Sequence, residues 1–351
     1  MHTSTWKPNY GDMLVCAAIL RQLQPANYVR VGFGSELKQP VDMAIVRGST
    51  YLHNQFDFAA AIRTIDSIDS RITTVGLGAQ NPTRDITFLD SNPLAFEFVK
   101  KLSEKSESIS VRGEFSADVV RRLGGKNIRV TGCPSLFYQD EIPAIRVPEM
   151  LTHAERRIGI SIHSGLTKNI FCENPQITKL MHGQAIRFAL ENSACTRIFE
   201  QGSTLEFTIS DRTADFNTRL IAAVQFLDRV GLKGELSPER LISLFSSVSD
   251  LPEWLGKARD VDAMIGFRFH GNMVAMCQGI PCYYYTYDSR LNEFCNLYHL
   301  PHQTTSIPFK NPVKEMLDHD WDDTNRAIKS CSIEMRDFWM ENNVEIRKVK
   351  S

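Results

Sequence analysis

The sequence predicts an α/β protein of two domains, each a parallel sheet covered by helices. Three observations carry that reading. The chain has 351 residues, more than one hydrophobic core usually organises. Short β-type apolar runs alternate with helix-period segments along both halves, as in strands joined by helical crossovers. A polar stretch from about 134 to 156, punctuated by Pro134, Pro143 and Pro148, separates the two series.

In the first half, Asp42-Met43-Ala44-Ile45-Val46 reads as a buried strand, broken by Arg47-Gly48-Ser49-Thr50. Ile72 to Leu77 is a second strand, closing at Gly78 before Asn81-Pro82. Ser108-Ile109-Ser110-Val111 is a third, and Arg112-Gly113 leads from it into a helix. Phe115, Val119, Val120 and Leu123 share one face of that helix. Gly124-Gly125 stops it, and Ile128-Arg129-Val130 begins a further strand.

The second half opens with a strand at Ile158 to Ile162. Residues 178–192 and 214–230 are helical, and strands at Ala263 to Phe267 and Cys282 to Tyr285 enclose a short helix. The charged end of the chain reads as helix lying on the surface. The expected division is 1–140, 157–310 and a helical segment 311–351 packing on the body.

Composition narrows the function. Apolar residues make 42% and charged residues 23% of the chain, ordinary values that argue against disorder. Lys and Arg total 40 against 41 Asp and Glu. The balance gives no global pull toward nucleic acid, so an anion site must be a local cluster. The cysteines, Cys16, Cys133, Cys172, Cys195, Cys277, Cys282, Cys295 and Cys331, form no CxxC pair and no zinc-ligand rhythm with histidine. They read as free thiols in a reducing compartment. No run has the length of a spanning helix and no leader opens the chain, so the expected place is the cytoplasm. P-loop and HExxH signatures are missing, and Gly32-Phe33-Gly34 lacks the helix that a dinucleotide loop needs.

The sharpest constellation is Gly266-Phe267-Arg268-Phe269-His270-Gly271-Asn272, entered from an apolar strand and followed by a short helix. Extended backbone would project Arg268 and His270 to the same side. Open α/β sheets bind ligands at this edge, and helix N-termini favour anions. Arginine offers a planar fork for phosphate or carboxylate, and histidine a proton near neutral pH. The plainer alternative is a structural Arg–carboxylate bridge with a hydrogen-bonded histidine.

Asn9-Tyr10-Gly11-Asp12 precedes the apolar positions Val15, Ile19 and Leu23; a helix cap alone would account for it. The polar Met1 to Pro8 hides the usual first strand. Arg112 ends a strand and faces a loop, where a simple surface charge is the alternative. In Thr131-Gly132-Cys133-Pro134-Ser135 the thiol has no adjacent histidine and reads as packing. Ile162-His163-Ser164-Gly165 closes a strand, where a turn histidine is the ordinary reading.

In this order the segments resemble the polysaccharide pyruvyl transferase family. Asn9-Tyr10-Gly11-Asp12 is similar to its N-x-G-D turn, Asp42 to Leu52 to its strand and small-residue loop, and Val75-Gly76-Leu77-Gly78 to the next strand and turn. Ser110-Val111-Arg112 with Ser116 resembles its S-V-R segment, and Val130-Thr131-Gly132 with Pro134 its T-G-D-P segment. Gly266 to His270, Gly279-Ile280-Pro281 and Tyr287-Asp288 resemble its G-x-R-x-H, G-x-P and Y-D elements. The resemblance spans about residues 9 to 290.

It implies two facing Rossmann-like domains, similar to B-type glycosyltransferases, with the ligand in a cleft between them. It implies an enzyme that moves the enolpyruvyl group of phosphoenolpyruvate onto a sugar of a cell-surface or exopolysaccharide precursor. A pyruvate ketal forms and phosphate leaves. Arg112, Arg268 and His270 match positions used around phosphoenolpyruvate, and Asn9, Gly11 and Asp12 the turn facing the same cleft; His163, Ser135 and Asn272 complete the candidate binding set. In the implied mechanism His270 protonates C3 or holds the departing phosphate, the two arginines neutralise it, and Asp12 orients or deprotonates the acceptor hydroxyl. No metal or organic cofactor is expected. The implied partners are phosphoenolpyruvate and a saccharide acceptor; a lipid-linked acceptor would bring the protein to the inner membrane face, and homo-oligomerisation is left open.

Three positions depart from the family. Arg47 stands where members often carry glycine, Gly113 replaces the acid after S-V-R, and Cys133 replaces the acid of T-G-D-P. Two other readings compete: a B-type glycosyltransferase with a nucleotide-sugar donor, and an inactive relative acting as a binding subunit.

Overall fold

The alternation of strand and helix is realised in a computed structural model that describes residues 9–139, 141–163, 165, 169–192, 196–305 and 308–347. The expectations for Met1 to Pro8, Ser164 and Cys195 fall outside the described residues. The other seven cysteines are free thiols, all but Cys16 of them buried.

The chain divides into two units, each assembled from non-consecutive segments. One comprises residues 15–141, 288–299 and 325–347; the other comprises residues 9–14, 142–287 and 300–324.

The first unit holds five parallel strands: β1 (Ala44–Arg47), β2 (Thr50–Leu52), β3 (Ile72–Ala79), β4 (Ile109–Val111) and β5 (Ile128–Val130). The sheet order is β1-β3-β4-β5, with β2 also paired to β3. β3 is buried along all of its residues, as a strand covered on both faces must be. α1 (Tyr10–Leu23) precedes the sheet, and α2 (Phe58–Asp66), α3 (Pro93–Lys105) and α4 (Glu114–Arg122) cross over between strands. Their apolar stripes, including Phe58, Phe98, Val99, Phe115 and Val119, meet Ile72, Leu77, Ile109 and Val111 in one core. Asp57 and Asn92 cap α2 and α3.

The second unit has six parallel strands: β6 (Ile158–Ser161), β7 (Thr196–Phe199), β8 (Phe245–Ser246), β9 (Ala263–Gly266), β10 (Cys282–Thr286) and β11 (His302–Thr304). Around them run α5 (Pro175–Glu191), α6 (Thr204–Ser210), α7 (Phe216–Arg229), α8 (Pro238–Leu244), α9 (Leu251–Arg259) and α10 (Phe269–Met276). After β10 come α11 (Ser289–Leu297), which belongs to the first unit, α12 (Pro312–Leu317) in the second, and α13 (Trp321–Glu341), most of which belongs to the first. The sheet order β11-β10-β9-β6-β7-β8 is the doubly wound Rossmann order. Its direction of winding reverses between β6 and β9, so a ligand crevice belongs at their carboxyl ends.

α13 turns Phe338 and Trp339 fully inward, and Trp339 Nε1 donates to Gln22 Oε1 at 2.9 Å. The charged residues that suggested a surface helix lie on its outer side, where Glu334 and Glu341 hold Arg129 at 3.1 and 2.8 Å. Charge describes one face of an amphipathic helix and is silent about the other.

Candidate functional site

The carboxyl edge of the six-stranded sheet collects most of the residues singled out from the sequence. β9 ends at Gly266, where an added Cβ would lie 2.1 Å from the Ser161 oxygens; at Gly271 it would lie 2.5 Å from Ser161 Cβ. Both glycines let the chain turn directly from strand into α10 against the end of β6. Arg268 is the N-cap of that helix, in extended backbone, and His270 sits in its first turn. The expected strand-like alternation of Arg268 and His270 is thereby corrected. Extended geometry stops at Arg268, because the glycines allow the helix to begin one residue later.

Arg268 is 7% exposed. Its Nη2 bonds both carboxylate oxygens of Glu206, at 2.8 and 2.9 Å, and its Nε donates to the carbonyl of Ile162. Glu206 lies in the first turn of α6 and is itself buried. The buried bridge foreseen as the plainer alternative is therefore present. Beside it, His182 of α5 packs on Phe267, with ring centroids 3.9 Å apart. Burial, and then the charge of Arg268, hold His182 down at about 3. Its neutral Nε2 accepts from the backbone N–H of His163 at 3.4 Å. His163, half-buried, accepts at Nδ1 from Gly165 N–H, the ordinary turn contact.

His270 meets the start of α1. A Cβ on Gly11 would lie 2.7 Å from His270 Cβ, His270 Nδ1 and Gln201 Nε2 alike. Only glycine lets the helix start pass between that imidazole and that amide. The turn is fixed by its own bonds: Gly11 N–H donates to Asn9 Oδ1 at 3.0 Å, Gln201 Nε2 to the same oxygen at 3.3 Å, and Tyr10 N–H to the Gln201 carbonyl at 3.0 Å. Tyr10 anchors it from below. Its ring stacks on Trp254 and its hydroxyl donates to the Val248 carbonyl at 3.0 Å. Burial and the nearby Glu200 push that phenol up to about 12. Asp12 follows in the first turn of α1, half-buried.

Asn9, Gly11, Asp12, His163, Arg268 and His270 thus belong to one sheet edge. Asn272 belongs beneath it. The side chain is fully buried, accepts from Ser161 Oγ at 2.7 Å and donates to the Tyr283 carbonyl at 2.9 Å. Both ends of its amide tie β6 to β10, which is a structural duty.

Arg112 and Ser135 belong to the five-stranded unit. Arg112 leaves the end of β4 and is 3% exposed. Nε donates to the Gly76 carbonyl at 3.1 Å and Nη1 to Thr50 Oγ1 at 3.3 Å. Ser135 is buried in a 3-10 turn, Pro134–Phe137, with Oγ 3.0 Å from Cys133 Sγ. That turn packs the two side chains together, as read for Cys133 but not for Ser135.

Sequence reasoning missed Glu206, His182 and Gln201. Each lies far along the chain from its partner, and a single sequence carries no signal that pairs them. Among the described residues no group of three or more His, Cys, Asp or Glu side chains could hold a metal ion, and no helix is long and apolar enough to cross a membrane.

The family model of polysaccharide pyruvyl transferases matches residues 9–289, from the Asn9 turn through the start of α11. The chain belongs to the polysaccharide pyruvyl transferase family. It is a pyruvyl transferase of polysaccharide biosynthesis, and its acceptor is a saccharide. No curated protein matches it. Among solved structures, this pyruvyl transferase is similar to a Listeria monocytogenes protein assigned as a UDP-N-acetylglucosamine 2-epimerase. That match has 11% identity and a TM-score of 0.40, covering 87% of this chain and 68% of the other.

Proposed function

We propose that this pyruvyl transferase uses phosphoenolpyruvate as donor and builds a pyruvate ketal on two hydroxyls of a cell-surface or exopolysaccharide precursor. The observation that carries the reading is His270 in the first turn of α10, against Gly11 and beside the Arg268–Glu206 pair. A proton donor stands there at a sheet edge suited to anions.

The steps balance without an added reagent. One acceptor hydroxyl adds through its oxygen to C2 of the enol as His270 gives C3 a proton, and the proton of that hydroxyl passes back to the imidazole. The second hydroxyl displaces phosphate from C2, and its proton leaves with the phosphate. Asp12 orients the attacking hydroxyl. Arg112 is assigned to an anionic group of the donor, because a buried guanidinium at a strand's carboxyl end suits phosphate or carboxylate. Arg268 contributes from a position that Glu206 and the Ile162 carbonyl fix. The proposal assigns no metal or organic cofactor. It places the protein in the cytoplasm, and at the inner membrane face if the acceptor is lipid-linked.

Phosphate release and acid-labile pyruvate, measured with phosphoenolpyruvate and candidate glycans, test the reading. His270→Ala should lower turnover by about 10²–10⁴; turnover equal to wild type removes His270 from the chemistry. In thermal-shift ranking, phosphoenolpyruvate should stabilise the protein and uridine or guanosine diphosphate should not. The reverse ranking would favour a nucleotide-sugar donor, for which the doubly wound order of the second unit is also suited.

A further inference from the structure

The start of α4 lacks something that another helix provides. A helix leaves its first amides without partners, and an N-cap side chain normally accepts from one of them. The N-cap of α4 is Gly113, which makes no side-chain cap bond. The acceptor comes instead from α11. Glu293 Oε2 takes the Ser116 N–H at 2.9 Å, and Oε1 takes the Ser116 hydroxyl at 2.7 Å. Ser116 N–H is the third helical amide, the one that an Asp at position 113 would reach.

The space fits the same account. A Cβ on Gly113 would lie 2.7 Å from Glu293 Oε2, so a side chain at 113 and a carboxylate from 293 exclude each other. The backbone at Gly113 is extended, with φ −179°, and any residue could adopt it. The constraint on a side chain at 113 comes from the Glu293 carboxylate and not from the backbone. The missing acid after Ser110-Val111-Arg112 therefore has a counterpart that arrives from elsewhere in the chain.

We propose that Glu293 is a positioning residue for the Arg112 turn, supplying in trans the capping carboxylate that residue 113 lacks. Three contacts make the turn a single network. Ser116 Oγ accepts from Ala79 N–H at 2.8 Å, Arg112 N–H donates to the Leu77 carbonyl at 3.1 Å, and Arg112 Nε donates to the Gly76 carbonyl at 3.1 Å. α11 and its cap also hold the two residues that follow β3. Asp288 accepts from Gln80 Nε2 at 2.6 Å, and Ser289 Oγ accepts from Asn81 N–H at 3.0 Å. Loss of Glu293 frees the start of α4, and with it the residue just before the cap, Arg112.

Only the link from Arg112 to the donor rests on the function proposed above, so the test has two readouts. The variants are Glu293→Ala, Gly113→Asp, the double variant, and Glu293→Gln, followed by melting temperature and by phosphoenolpyruvate affinity. Each of the first two single changes should lower the melting temperature by about 3–6 °C and weaken phosphoenolpyruvate binding by roughly tenfold or more. Moving the acid from 293 to 113 in the double variant should restore both to near wild type. Glu293→Gln keeps the acceptor oxygen and should fold, raising KM for phosphoenolpyruvate more than it lowers kcat. A double variant no better than the worse single variant overturns the proposal. A wild-type protein that does not bind phosphoenolpyruvate overturns the donor reading, and the melting cycle then decides the cap alone.

Discussion

Arg268 and Glu206 bury their charges against each other, with side-chain exposures of 8% and 1%. An unpaired charge in such a place is costly, so the pair fixes where the guanidinium points. Glu206→Ala should destabilise the protein by about 3–5 kcal/mol, measured by urea unfolding. Replacing both residues with methionine should cost far less stability, since no lone charge remains, yet should abolish turnover if Arg268 serves the donor. Equal losses for the single and double changes would show that the pair is not coupled.

Gly11→Ala separates local propensity from tertiary contact. In an exposed helix the change stabilises by roughly 1 kcal/mol. Here the new methyl meets His270 and Gln201 at 2.7 Å, so the expected sign is reversed. Melting temperature should fall, and turnover should fall by more than about tenfold, because small displacements of a reacting group are costly. A more stable and fully active variant would disconnect the α1 start from His270.

His182 gives the acid side of the stability curve. Its folded value of about 3 lies below the ordinary 6.5, so the unfolded chain takes up this proton first as pH falls. The contribution is complete above pH 6.5 and is lost as pH drops toward 3. His182→Phe removes that component. Between pH 7 and 5 the wild type should lose about 2 kcal/mol more than the variant, read from denaturant unfolding at the two values. Parallel curves would mean that His182 titrates normally.

Glu293 works in the opposite sense. Burial raises it from 4.5 to about 7, opposed by Ser116 and Arg112 and reinforced by Asp288. The folded chain holds this proton more tightly, so its contribution is present below pH 4.5 and is lost as pH rises through 7. Glu293→Gln lacks the component, and its stability relative to wild type should rise across that window. Asp288, raised by burial as well, remains in both proteins.

Several elements were legible in the sequence because local pattern and fold agree there. The apolar runs at Ile72 to Leu77 and Ile158 to Ile162 became β3 and β6, and the segments near 178–192 and 214–230 became α5 and α7. Short or partly exposed elements escaped. β2 has three residues, β8 two, and β11 only one buried position of three, too little periodicity to register. The site divided in the same way. Arg268, His270 and the Asn9 turn stood out because glycines and polar groups interrupt apolar runs. Asn272 and Ser135 stood out equally, yet their polar atoms are satisfied internally, which adjacency in sequence cannot reveal.

What the sequence determined by itself was the α/β class and the family, since ordered short motifs and strand–helix alternation are properties of neighbours along the chain. The tertiary structure alone decided which charges meet. Glu206 neutralises Arg268, His182 stays uncharged beneath the His163 turn, and Glu293 caps a helix that begins far from it in sequence. Those pairings follow from packing strands side by side and excluding water, and the order of residues holds no record of either.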